Sequence, residues 1–304
     1  ERPFRGKSGR LGRPALFAAA GVMASLLIGI GIQGELTGGW LGRYPSELAT
    51  ILASADDYDP RRRECLGIRS DAAGCLYGQE GARPTLALWG DSHAAAYSVM
   101  LGELAAERGS AVLAMTMPAC PPLRDWQLEG QRWRDACALF QRRAWQRISD
   151  NPSIHTVVLA AHLVGYPLGD SGSGFSEAFL GTVSALLDAG LRVAILYPVP
   201  ELGADVPKVL AQAVLGQKDP SLVRLPRDAY LERTRTAFAL LDAVPDRPGV
   251  VRIYPHRVLC PGADCLFYRE GRGLYYDDEH LSLTGADLLR PLFRPLFDRS
   301  GSAD

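Results

Sequence analysis

From Pro84 onward, short apolar or β-branched runs alternate with helical patterns, and that alternation limits the chain to few architectures. The apolar runs fall at 85–89, 111–114, 156–161, 192–197 and 250–253. The helical patterns fall at 94–108, 132–148, 176–189, 206–215, 227–241 and 283–297. Strands that read as continuous apolar runs are buried on both faces, and strands separated by helices pair in parallel. The expected fold is therefore α/β: a three-layer, flavodoxin-like α/β/α sandwich around a five-stranded parallel sheet, spanning residues 85–298. In such sheets ligands bind beyond the carboxyl ends of the strands. The polar stretch 299–304 is expected as a tail.

The region before the sheet has a different character. Residues 14–33 carry no charge. Twenty helical residues span about 30 Å, the thickness of a bilayer core, so a transmembrane helix is expected there. Arg2, Arg5, Lys7, Arg10 and Arg13 precede this span, and the first cation after it is Arg43. By the positive-inside rule, 1–13 is a cytoplasmic stub and the remainder lies outside. A cleaved signal peptide is the competing reading; the span is long for one and lacks an A-x-A site. Residues 34–84 read as a linker or extension with a short helix at 46–53, a turn cluster from Asp56 to Pro60, and Arg61-Arg62-Arg63 as a solvated basic corner.

Six cysteines form three sequence-local couples, Cys65 with Cys75, Cys120 with Cys137, and Cys260 with Cys265. In an oxidising compartment these would be disulfides; the alternative is six buried thiols in a cytosolic protein. No Cys/His spacing matches a zinc site, and no metal is expected. A net charge of −1 gives no basic excess for nucleic acid.

Two tetrapeptides carry the chemistry. Gly90-Asp91-Ser92-His93 follows the first strand and opens a helix. Ser92 thus sits on a strand-to-helix turn, with helix N-terminal N–H groups around its hydroxyl. Asp91 is read as support for that turn. A serine hydroxyl is a weak nucleophile until a base takes its proton. Asp277-Asp278-Glu279-His280 supplies a base, and its spacing lets one loop hold His280 and an orienting carboxylate. Asp277 and Asp278 compete for that role, and Glu279 is read as facing solvent. Thr284 with Asp287, or Ser282, would cap the last helix, and Pro291 should kink or end it.

A serine early and Asp-x-x-His late is the order of the SGNH (GDSL-like) esterases and acyltransferases, and the chain resembles them. That family's spacing selects Asp277 over Asp278. The chain more narrowly resembles the C-terminal SGNH domain fused to membrane acyltransferase-3 proteins. The residues carrying this likeness are Leu88-Trp-Gly-Asp-Ser-His93, Cys120-Pro-Pro122 and Tyr276-Asp-Asp-Glu-His-Leu-Ser282. Glu1-Arg-Pro-Phe-Arg5 resembles the end of the membrane domain.

The resemblance implies an O-acyltransferase, of O-acetyl type, working through acyl-Ser92 on a surface glycan such as lipopolysaccharide O-antigen. It implies an inner-membrane protein with its catalytic domain in the periplasm and an acyltransferase-3 domain as partner. No cofactor would be bound by this domain; the acyl group would come ultimately from acyl-coenzyme A through the membrane domain. The alternatives are a periplasmic carbohydrate esterase or deacetylase and a non-catalytic glycan-binding module. The family's oxyanion donors are a glycine and an asparagine from two later loops, and here the chain departs. The loop from Thr116 to Pro122 has no glycine, so backbone N–H groups at Ala119 or Cys120 are the candidates. The loop from Ala160 to Tyr166 has no asparagine, so His162 is the candidate, as oxyanion donor or as acceptor ligand. Tyr166, Tyr275 and Tyr276 are further acceptor candidates.

Overall fold

The computed structural model describes residues 12–37, 39, 45–66, 74–127, 134–169 and 174–298. The basic residues Arg2 to Arg10 and the tail lie outside the described residues. The chain divides into two compact units, Glu1–Ala49 and Thr50–Asp304.

In the first unit, helix α1 (Arg13–Leu36) runs 24 residues with no buried residue. Phe17, Met23, Leu26, Leu27 and Ile30 all point outward. Its mean hydropathy of 2.3 and its length, about 36 Å at the helical rise, suffice to cross a membrane. Helix α2 (Ser46–Ala53) follows the sequence expectation residue for residue.

The second unit holds a six-stranded sheet, one strand more than expected. After the short helix α3 (Arg62–Cys65) come β1 (Cys75–Gly78), β2 (Pro84–Gly90), β3 (Ala111–Thr116), β4 (Thr156–Ala160) and β5 (Arg192–Leu196), with Val250–Ile253 as the last strand. The spatial order is β1-β3-β2-β4-β5-(250–253). The expected strands all pair in parallel, whereas β1 pairs antiparallel with β3 and forms an edge. It comes from the stretch read as an extension. Four residues that bury only Cys75 and Tyr77 are too short to announce a strand.

Alternate residues of the inner strands, such as Ala87, Trp89, Leu113, Met115, Val157, Leu159, Val193 and Ile195, share one core with Phe140, Phe179, Val183 and Leu240 of the helices Arg134–Ser149, Phe175–Asp188 and Arg227–Asp242. The intervening residues Leu86, Leu88, Val112 and Val158 are buried as well, so the sheet is covered on both faces. On the second face α4 (Ser98–Ala106) packs on β1 and β3. It is separated from the turn of helix at Ser92–Ala95 because the Tyr97 N–H bonds back three residues to the Ala94 carbonyl. The expected last helix is broken in the same way. Leu283–Asp287 and Arg290–Phe293 are separate pieces, and Pro291 and Pro295 supply no N–H to continue them. Ser282, rather than Thr284, caps the first piece by accepting from the Gly285 N–H at 3.1 Å.

All three sequence-local cysteine couples are bonded: Cys65–Cys75, Cys120–Cys137 and Cys260–Cys265.

Candidate active site

Gly90, Thr116 and Ala160 are level at the carboxyl edge of the sheet, because β2 pairs with β3 on one side and β4 on the other. The connections leaving β2 and β3 run to opposite sides of this point, so the residue after β2 sits in the crevice where the strand order reverses. Gly90 makes that turn possible. A Cβ there would stand 1.7 Å from the Ala160 carbonyl oxygen, so only glycine lets β4 approach.

Asp91 follows, 1% exposed. One carboxylate oxygen accepts from the His93 N–H at 2.9 Å and caps the helical turn that begins at Ser92. The other accepts from the His162 N–H at 2.9 Å and from the Tyr166 hydroxyl at 2.8 Å. The sequence reading of Asp91 as a support for the turn is thus extended: it also clips the loop after β4 to the nucleophile turn. Burial and the Asp91 carboxylate both hold the Tyr166 hydroxyl well above the usual phenol range.

Ser92 is half-buried, and its Oγ lies 2.8 Å from His280 Nε2. His280 Nδ1 lies 2.8 Å from Asp277 Oδ2. The other oxygen of Asp277 accepts from the backbone N–H groups of His280 at 2.7 Å and Glu279 at 3.1 Å. Burial pushes the Asp277 carboxyl up, but the bonds and charge from His280 and these two N–H groups outweigh it, and the net direction is down. The loop is itself anchored. Tyr276 N–H donates to the His280 carbonyl, Val206 N–H to the Asp277 carbonyl, and the Tyr275 hydroxyl to the Pro200 carbonyl. Ser92, His280 and Asp277 are therefore a connected hydroxyl–imidazole–carboxylate row, the arrangement that makes a serine nucleophilic.

A second cluster adjoins this row. His93 stacks on His162 with ring centroids 4.4 Å apart and planes 4° from parallel, and His93 lies 4.6 Å from the His280 ring. His162 Nε2 is 3.0 Å from Glu201 Oε1, an ion-pair distance without the alignment of a hydrogen bond. It is also 3.6 Å from Glu279 Oε2. Glu201 is buried and takes a second cation, Arg233, at 2.8 Å. Burial pulls the His162 ring down, but Glu201, Glu279 and Asp91 outweigh it and raise it above the ordinary histidine value. Glu279 does not face solvent as the sequence suggested. It turns toward the imidazoles, and His93 first, then His162 and His280, hold its carboxyl down at about 2 against burial. Glu201 was missed altogether, since it follows Pro200 in a loop with no motif.

His93, His162 and Glu279 bring three donor atoms within 4.8 Å of one another. The two stacked rings keep their in-plane lone pairs in separate, near-parallel planes, so one ion cannot lie in both. The cluster is built for charge, not for chelation.

The remaining sequence candidates fall differently. The Cys120 N–H donates to the Met117 carbonyl at 3.2 Å, and the residue is fully buried, so its amide is spent inside a turn. Ala119 is exposed with φ +52°. His162 lines a small cavity with His93, Ala161 and Glu201, separate from the pocket that Ser92 lines. Tyr275 is fully buried and committed to Pro200, which removes it as an acceptor contact. Tyr276 does reach the Ser92 pocket.

A family model described as SGNH domain (fused to AT3 domains) matches residues 59–295. Among solved structures, the periplasmic domain of a lipopolysaccharide acetyltransferase from Salmonella ser. Paratyphi A is similar in fold. Its TM-score is 0.55 at 21% identity, over 71% of this chain and 84% of that one. No curated protein sequence matches the chain.

Proposed function

The chain belongs to the SGNH domains that are fused to AT3 domains, and from that membership and the geometry at Ser92 we propose that it is a serine-dependent O-acyltransferase acting on a cell-surface glycan. The observation that carries this reading is the unbroken row from Ser92 Oγ through His280 to Asp277, with both links at 2.8 Å.

In the first half-reaction Ser92 Oγ attacks the acyl carbonyl carbon while His280 Nε2 takes the hydroxyl proton. Asp277 holds the ring in the required tautomer and stabilises the imidazolium. His280 then returns the proton to the leaving group, and acyl-Ser92 remains. In the second half-reaction His280 takes the proton of a sugar hydroxyl, the sugar oxygen attacks acyl-Ser92, and the proton returns to Oγ as the new ester leaves. The Ser92 N–H, at the start of its helical turn, is the first donor to the tetrahedral oxyanion. His162, its pKa raised by Glu201 and Glu279 and its ring partly exposed, binds the acceptor sugar, since the carboxylates and the imidazole together offer both acceptors and donors to hydroxyls. An acceptor so held outcompetes water through effective molarities of up to about 10⁵ M or more.

The acyl group is acetyl, supplied by the acyltransferase-3 membrane domain from acyl-coenzyme A, and the acceptor is a glycan of the lipopolysaccharide O-antigen kind. Helix α1 anchors the protein in the inner membrane with the second unit in the periplasm, where disulfides persist. The test is incubation of the protein with an aryl acetate, with and without O-antigen. An acetylated Ser92 peptide and glycan-dependent formation of acetyl sugar support transfer. Fast hydrolysis that no glycan redirects makes the protein an esterase instead. An unmodified Ser92 with no turnover makes it a binding module.

A further inference from the structure

A narrow pocket opens on Ser92 from the side of the antiparallel sheet edge. Ala95 and Ala96 of the nucleophile's own helix form one wall, and Thr116 closes the end of β3. Tyr58, Leu66 and Tyr276 line it as well, with Asp59, Arg62 and Ser98 among its polar groups. The free volume for a water-sized group is about 20 Å³. A single water needs roughly 10–15 Å³, so the room here is on the scale of a methyl group.

The wall is not soft. The segment 57–66 is fastened to the rest of the unit at every turn. The Leu283 N–H donates to the Asp57 carbonyl at 2.8 Å, and the Tyr77 hydroxyl to Asp59 Oδ2 at 2.5 Å. Arg61 donates to the Leu76 carbonyl at 2.9 Å. Cys65 is bonded to Cys75, and Leu66 pairs with Thr116 as an isolated parallel bridge. Arg62 lies over both the Tyr58 and the Tyr276 rings, at 5.4 and 5.3 Å. Tyr276 in turn stacks on His280, centroids 5.3 Å apart and planes 9° from parallel. The pocket wall and the base are consecutive members of one stack. A longer acyl chain cannot push the wall aside without displacing the imidazole that must meet Ser92.

We propose that this pocket receives the acyl group carried by Ser92, and that segment 57–66, with Tyr276, is a length gauge restricting it to two carbons. This rests on the acyl-serine reading above. The specificity residues it assigns are Tyr58, Leu66, Tyr276 and, from the helix side, Ala95 and Ala96.

The experiment is acylation of the whole protein by aryl acetate, butyrate and hexanoate, read as the rate of acyl-enzyme formation by intact mass. One extra methylene is worth about 10–200-fold where a pocket fits its group closely, so acetate should lead butyrate by at least roughly tenfold. Tyr58→Ala should shrink that ratio by about tenfold, and Leu66→Ala gives the same reading if the tyrosine variant fails to fold. Ala96→Val should lower acylation even by acetate. Equal acylation by all three esters in the wild type, or an unchanged ratio in the folded enlarged variant, overturns the gauge while leaving the nucleophile intact. No acyl-enzyme from any ester overturns the serine reading and the gauge with it.

Discussion

Two histidine–carboxylate pairs stand side by side at the carboxyl edge of the sheet, and they are built for different work. His280 meets Asp277 at 2.8 Å and His162 meets Glu201 at 3.0 Å. The first carboxylate is held by two backbone N–H groups of its own loop, and its imidazole ends on a hydroxyl. The second carboxylate is shared with Arg233, and the same imidazole nitrogen that meets it also faces another carboxylate, Glu279. A histidine beside an acid is therefore not enough to identify a base. What distinguishes the pairs is where the ring leads: His280 links a carboxylate at one nitrogen to a hydroxyl at the other and makes a proton path, whereas both acids of His162 face the same nitrogen and favour its cationic form.

The largest test of that distinction removes the hydroxyl or the ring behind it. Ser92→Ala and His280→Ala should each lower acyl turnover by about 10⁶-fold, as for serine hydrolases whose triad members act as a unit. Folding of the Ser92 variant should be intact, checked by thermal unfolding, because Ser92 is only half-buried. Turnover near wild type in either variant breaks the comparison outright. Next comes the carboxylate of each pair. Asp277→Asn should cost about 10⁴-fold in kcat through the wrong tautomer. Glu201→Gln should leave aryl acetate hydrolysis within about tenfold, because its imidazole lies off the Ser92 proton path. Equal losses from both would merge the two pairs into one machine.

Smaller effects separate acceptor from acyl chemistry. His162→Ala should lower transfer to a glycan by roughly 10–100-fold, the range for a lost hydrogen bond to a charged group, and should change hydrolysis by less than about threefold. Parallel losses would instead make His162 a donor to the oxyanion. The smallest effect is on stability. The His162 value is raised in the folded protein, so its contribution is full below the unfolded value near 6.5 and is lost as pH rises through the folded value. Each kcal/mol lost lowers Tm by about 2–4 °C in a domain of this size. Glu201→Gln should move that alkaline decline to lower pH, and an unmoved decline would detach His162 from Glu201.

How much of this was legible beforehand follows from how local each signal is. Ser92 is marked by a strand, a glycine and a helix in immediate succession, and Asp277 and His280 are three residues apart, so local spacing, with the family's pattern choosing Asp277 over Asp278, pointed to residues the fold brings together. The inner strands were equally plain, because burial on both faces writes a continuous apolar run. Glu201 left no mark, since its neighbours His162 and Arg233 are distant in sequence. Glu279 was read as solvent-facing because only the folded loop turns it toward the imidazoles. The segment 57–66 looked like a turn cluster followed by a basic corner at Arg61-Arg62-Arg63, and Arg62 acquires its meaning only when Tyr58 and Tyr276 close around it. Long-range pairings write nothing periodic.

Asp91 has a consequence for how such a protein can be remade. Its carboxylate gathers three donors, one from the nucleophile turn and two, the His162 N–H and the Tyr166 hydroxyl, from the loop after β4. The loop is thus plugged into the nucleophile at two fixed contacts, with Leu163, Val164 and Gly165 between them. Anyone grafting a different acceptor-facing segment onto this scaffold has a defined socket. Between the contacts Leu163 is buried in the core and a Cβ at Gly165 would meet the His162 ring at 2.9 Å, so these two are constrained, and the backbone at 162 and the hydroxyl at 166 travel with any replacement. A graft that omits either would detune Ser92 even where it binds its new sugar well.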